Sequence, residues 1–202
     1  MASAFAWSRW SPVADPTTLY LMRHGETDRP STEDFDLAVL TDEGVRQVHD
    51  AATRWAFPIP DLIYCSSLAR SVETASVLAK VFRRPIKTVH GLEEWAATEK
   101  DVSQEVYRET ERKCWADFDY VNDDGESLNH ATQRILHHLT EIARRHAGRP
   151  VMVSGHAILF ALFFGHLRGE RATEESKDRI KFASWSVVER RSVWRIVRDF
   201  GH

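Results

Sequence analysis

Cysteine, excess charge and long apolar runs are all scarce in this chain, and each scarcity excludes something. Only two cysteines, Cys65 and Cys114, occur in 202 residues. A chain of this length can bury a core that needs no disulfide staple, so both read as free thiols in a reducing compartment, the cytoplasm. The 27 Lys+Arg and 30 Asp+Glu leave a formal charge of -3, which gives no global field for nucleic acid or anionic lipid. Any anion site must be local. The longest apolar run, AILFALFFG from Ala157 to Gly165, is well short of the ~20 residues a membrane span needs, so it reads as a buried helix. Residues 1–16 lack a basic region followed by a long apolar run, so they read as a loosely held arm and not as a signal peptide. There is no internal repeat and no low-complexity tract. No His-Glu-x-x-His spacing occurs, and His130, His137, His138 and His146 lie on a helix whose solvent face needs polar residues. No metal is expected.

What is present is an alternation of strand-like and helix-like segments across residues 17–202, as in one domain with parallel strands joined by crossover helices. TTLYLM (Thr17 to Met22) reads as the first strand. A polar, acidic loop follows, and then a helix that Thr41 caps, with Val45, Val48, Ala52 and Trp55 at helical spacing. DLIYCSS (Asp61 to Ser67) is a second strand, leading directly into a helix striped by Leu68, Val72, Ala75, Leu78, Ala79 and Phe82. PIKTVHGL is a third strand. Residues 93–124 read as an insertion able to cover a site, with a helix near SQEVYRETERKCWADF. Its Trp95, Tyr107 and Trp115, with Arg108, Arg112 and Lys113, suit either an aromatic and basic lid or plain packing. GESLNHATQRILHHLTEIARRHAG is an amphipathic helix ending in basic residues before Gly148. Ser127 or Asp124 can cap it, and Glu126 and Ser127 suit capping and site support equally. RPVMVSGH supplies a further buried strand, then a short helix runs from Ala157 to about Leu167. Trp185, Val187, Trp194 and Ile196 alternate in an antiparallel C-terminal hairpin at a sheet edge. The expected architecture is three-layer α/β/α with a mainly parallel sheet.

Ligands of such sheets bind beyond the carboxyl ends of the strands. Those ends carry Arg23 and His24, then Ser66 and Ser67 leading to Arg70, then Glu93 and Glu94, and finally Ser154, Gly155 and His156. Two histidines, two arginines and a carboxylate therefore converge on one rim. The set suits phosphoryl transfer. A neutral imidazole attacks phosphorus without a base, and arginine forks grip the phosphoryl oxygens with bonds worth ~1.5–3 kcal/mol each. A second, cationic histidine and a protonated carboxyl near the leaving oxygen complete the requirement. The alternatives are pairing of Arg23 with Glu26 and of Arg70 with Glu73, and His156 as a mere helix cap.

LMRHGET, CSSLARSVETA, GLEEW, DGESLNHATQRI and VMVSGHA, in this order, resemble the histidine phosphatase superfamily in its phosphoglycerate mutase-like branch. The resemblance implies that His24 becomes phosphorylated and that Arg23, Arg70 and His156 bind the transferred phosphoryl group. It implies that Glu94, ahead of Glu93, is the proton donor, and that no metal or organic cofactor is needed. The chain departs from the family at Pro30, where an asparagine is frequent, and STEDFDLAVL lacks the family's loop arginine. The expected activity is hydrolysis of a small-molecule phosphomonoester, with His24, Glu94 and His156 catalytic. Mutase-type transfer and a non-catalytic phosphate-binding module are the rivals. Neither nucleic acid nor membrane is an expected partner, and a homodimer is compatible with the residues.

Overall fold

A computed structural model describes residues 15–28, 38–97, 102–122 and 125–200. The first fourteen residues of the expected arm, the departure at Pro30 and the candidate cap Asp124 lie outside them.

The sheet has six strands in the order β3-β2-β4-β1-β5-β6. Strands β1 (Thr17–Arg23), β2 (Ile63–Cys65), β3 (Ile86–Thr88) and β4 (Pro150–Gly155) run parallel, and β5 (Trp185–Arg190) and β6 (Trp194–Arg198) close the edge antiparallel. Leu19 to Met22 is buried at every position because β1 lies between β4 and β5 with helices over both faces. Alternation then divides its side chains. Tyr20 and Met22 pack with Ile63, Cys65 and Met152 beneath α1 (Asp42–Thr53) and α2 (Ala69–Phe82). Leu19 and Leu21 pack with Val151 and Val153 beneath α4 (Leu128–Arg145) and α5 (Ala157–Arg168), a face that also receives Cys114 of α3 (Gln104–Ala116). That is the three-layer α/β/α arrangement the alternating pattern predicts.

The local signals explain the boundaries. Thr41 caps α1 by accepting from the Gly44 amide, and Ser127 caps α4 by accepting from the His130 amide. Helix α5 ends at Gly169 in the left-handed conformation. Every residue from Ala157 to Gly165 is buried, so α5 is a core helix. Among the described residues no helix is long and apolar enough to cross a membrane. Both cysteines are buried free thiols.

Two local expectations need correction, and one element was not expected. Val48 and Ala52 of the expected stripe are buried, but Val45 is exposed and Gly44 is buried in its place, because the start of the helix presses against the loop after β1. Strand β3 is a short, exposed edge and not an eight-residue strand. A short helix, α6 (Glu174–Arg179), precedes the hairpin; it buries none of its residues, so its sequence carries no apolar stripe. Trp95 is a core residue that donates from Nε1 to the Glu126 carbonyl at 2.5 Å. On the outside of α3, Arg112 and Lys113 pair with Glu109, an arrangement that suits packing and solvation of that helix.

Candidate active site

The register of two neighbouring strands sets the centre of the site. Arg23 pairs with Gly155, and the His24 amide donates to the Gly155 carbonyl at 3.0 Å. The residues that follow each strand, His24 and His156, therefore leave the same rim side by side. Their ring centroids lie 5.3 Å apart, His24 is 6% exposed and His156 is fully buried.

The two rings have different partners, and that of His24 fixes its tautomer. Nδ1 of His24 lies 2.8 Å from the Gly25 carbonyl, an oxygen that only accepts. Nδ1 therefore carries the proton and the neutral ring presents a bare Nε2. Burial, opposed by that hydrogen bond and reinforced by the charges of Arg23 and Arg70, drives the His24 pKa down to about 3. Nε2 of His156 meets the Ser66 hydroxyl at 2.8 Å, while its Nδ1 is buried with no hydrogen-bond partner among the described residues. Burial also holds His156 well below the usual imidazole range, with His24, Arg70 and Arg23 acting in the same direction. With two guanidinium groups close by, the surroundings favour the neutral form of His156, opposite to the expected cationic second histidine.

Beneath the rings lies a buried hydroxyl lattice. Ser71 Oγ donates to the Ser154 carbonyl at 3.0 Å and accepts from the Ser66 amide at 3.2 Å, tying α2 to β4 and β2. Thr74 accepts from the Gly25 amide at 3.1 Å and donates to the Arg70 carbonyl at 2.8 Å, tying the loop after β1 to the first turn of α2. Gly25 has to be glycine, since a Cβ there would sit 2.5 Å from the Gly44 carbonyl oxygen. Arg70 is buried within electrostatic reach of His24, His156 and Glu94. Arg23 donates from Nη1 to the Ile180 carbonyl at 2.6 Å, and its guanidinium stacks 4.0 Å over Phe182. Glu26 accepts from Thr41 and Glu73 from the Leu40 amide, contacts that tie these acids to the start of α1.

The two adjacent glutamates occupy opposite environments. Glu93 accepts from the Ser67 hydroxyl at 2.6 Å and from the Gly91 and Ser67 amides. Those bonds outweigh its burial and hold its carboxyl below the usual range. Glu94 caps α5, with Oε2 accepting from the Ile158 amide at 3.1 Å and Oε1 from the Leu159 amide at 3.2 Å. Burial nevertheless pushes the Glu94 carboxyl up, against the Ile158 and Trp95 amides, Arg70 and the Leu159 amide. His156 occupies the N-cap position of α5, but its side chain makes no capping bond. Glu94 makes that bond instead.

Two of the other histidines have local duties: His130 meets Glu126 at 3.2 Å and His146 bonds to the Tyr64 hydroxyl at 2.8 Å. Among the described residues no group of three or more His, Cys, Asp or Glu is placed to hold a metal ion. Sequence reasoning passed over Phe182, whose ring lies 5.6 Å from His24, and Arg134, which grips the loop before Glu94. A bulky ring after a polar helix, and one arginine among several on an amphipathic helix, give no distinguishing signal. Ser71 and Thr74 were passed over as well, and their one signal is that they break the buried side of α2 with hydroxyls.

The fold defines a phosphoglycerate mutase-like α/β domain. The chain belongs to the histidine phosphatase superfamily (branch 1), which matches it over residues 19–198. Bacillus stearothermophilus YhfR superposes with a TM-score of 0.76 at 21% identity, over 92% of this chain and 96% of that one. A mycobacterial glucosyl-3-phosphoglycerate phosphatase gives 0.74 at 21% identity, over 91% and 98%. A phosphoglycerate mutase from Bacillus anthracis gives 0.74 at 15% identity, over 93% and 94%. The mycobacterial phosphatase is also known in complex with inorganic phosphate. No curated protein matches the chain significantly in sequence.

Proposed function

We propose that the protein hydrolyses a phosphomonoester of a small metabolite through a phosphohistidine on His24. The observation that carries this reading is the facing pair of neutral imidazoles, one with a bare Nε2 and the other with a buried Nδ1 that has no partner among the described residues. In this reading His156 carries its proton on Nδ1, which donates to a phosphoryl oxygen, while its Nε2 accepts from the Ser66 hydroxyl 2.8 Å away. Arg23 and Arg70 supply the positive field for the other oxygens.

In the first step His24 Nε2 forms a bond to phosphorus as the bond to the leaving oxygen breaks, and Glu94 gives its proton to that oxygen. The arriving dianion favours the protonated acid, because it offsets the Arg70 charge that otherwise lowers the Glu94 pKa. In the second step Glu94, now a carboxylate, takes a proton from water as the water oxygen bonds to phosphorus. The phosphorus–nitrogen bond breaks, and inorganic phosphate leaves with His24 neutral again. Glu93, held as a carboxylate by Ser67 and Gly91, is unsuited to the acid role. The phosphate-bound relative supports a phosphorylated substrate here.

The test is a panel of phosphomonoesters read by released phosphate and by a base-stable, acid-labile phosphoprotein. Wild-type protein gives both and His24→Ala gives neither. Isomerised product without free phosphate assigns transfer, and no turnover with no phosphoprotein across the panel refutes the enzymatic reading.

A further inference from the structure

The loop that carries Glu94 is held by an ion pair, Arg134 with Glu126, whose arginine also lies within electrostatic reach of His156. Arg134, within α4, donates from Nη1 to the carbonyls of Gly91 and Glu93, both at 2.9 Å. Its Nε and Nη2 meet Oε1 and Oε2 of Glu126 at 2.8 and 2.5 Å. A guanidinium is a rigid planar fork, so a carboxylate bonded along one edge fixes the direction of the other. Here that direction is toward two carbonyls, the second belonging to the residue immediately before Glu94. The pair is shielded, with side chains 18% and 19% exposed. Glu126 also grips the far side of Glu94 through its main chain: its carbonyl accepts from Trp95 Nε1, and its amide donates to the Ala96 carbonyl at 3.3 Å.

We propose that Arg134, oriented by Glu126, is a positioning residue for Glu94, setting where the carboxyl stands relative to the leaving oxygen. This rests on the reading of Glu94 as the proton donor. The guanidinium binds the carbonyls on one side of Glu94, and its partner binds the Trp95 indole and the Ala96 carbonyl on the other, so the pair brackets the acid. A lysine at 134 keeps the charge but lacks the fork, and so holds the loop less firmly.

The test is single-turnover formation of the phosphohistidine, quenched in base, from p-nitrophenyl phosphate and from glycerol 2-phosphate. An aryl leaving group needs little protonation, whereas an alkyl one depends on the acid. Arg134→Met is expected to slow the alkyl substrate about 10–100-fold, the usual range for a supporting residue, and the aryl substrate no more than about threefold. Arg134→Lys should fall between. In a Glu94→Gln background, Arg134→Met should add nothing for the alkyl substrate, since both changes remove one function. Equal losses for both substrates, no loss for either, or a full further loss in the Glu94→Gln background overturns the proposal. Should Arg134→Met not fold, Arg134→Lys and Glu126→Gln carry the same comparison. Selective loss in Glu94→Gln without selective loss at Arg134 sinks this inference alone. An unselective Glu94→Gln removes the reading of Glu94, and the inference with it.

Discussion

Acid should destabilise this protein through its site before it affects the rest of the fold, and His24 sets the size of the effect. The folded ring titrates at about 3, while the same side chain in the unfolded chain titrates near its model value of 6.5. Between those values the unfolded state binds a proton that the folded state refuses, so stability falls as pH falls. At pH 7 the unfolded ring is mostly neutral and the penalty is small; by pH 5 it is about 2 kcal/mol, from ~1.36 kcal/mol per pH unit over the interval below 6.5. The penalty keeps growing until the folded ring itself titrates. His156, lowered by the same burial and the same arginines, adds in the same direction. Urea denaturation of wild-type and His24→Asn protein between pH 5 and 7.5 measures this directly, because asparagine does not titrate. The variant should lose about 2 kcal/mol less than wild type between pH 7 and 5. Parallel stability profiles, or an NMR titration placing the His24 ring near 6.5, would refute the reasoning.

Three further outcomes can be checked. Arg70→Ala should lower kcat at least about a hundredfold, since removing one preorganised donor typically costs ~2.7–4 kcal/mol in the transition state; phosphate release under saturation reads it. Ser66→Ala should cost about 1–3 kcal/mol by leaving a buried ring nitrogen of His156 without its partner, and it should also reduce turnover, because that bond holds the ring in place. Gly44→Ala should lower Tm, since the new Cβ would stand 2.1 Å from the Glu26 carbonyl oxygen and the start of α1 would have to move at a cost of about 1–3 kcal/mol. An unchanged Tm would mean that this close approach is absent in solution.

The elements that carry the site were legible because each has a local physical signature. Strand β1 reads as a continuous apolar run, since helices cover both its faces, and its tip could be placed before any coordinates. Helices α2 and α4 show in their apolar stripes, and Thr41 shows as a cap. Strand β3 and helix α6 gave little, because neither buries a side of its own. Within the site, residue types at strand ends were enough to nominate His24, Arg70 and His156. They could not distinguish Glu93 from Glu94, whose difference lies in donors from Ser67 and from the start of α5, far along the chain. They could not show that both rings are neutral, because charge state depends on burial and neighbours. Arg134 was invisible for the same reason: besides Glu126 its partners are two carbonyls, and sequence records nothing of carbonyl direction.

The distance between the two imidazoles is inherited from the spacing of adjacent strands, through Arg23 opposite Gly155 and the bond from the His24 amide. Loops and helices joining β1 to β4 can therefore lengthen, shorten or change composition without altering it. A single residue inserted inside either strand would instead turn one ring toward the opposite layer. Relatives with about four-fifths of their residues different can thus superpose over nearly the whole chain, and a designer seeking new specificity has the crossovers to vary and two short segments to leave alone.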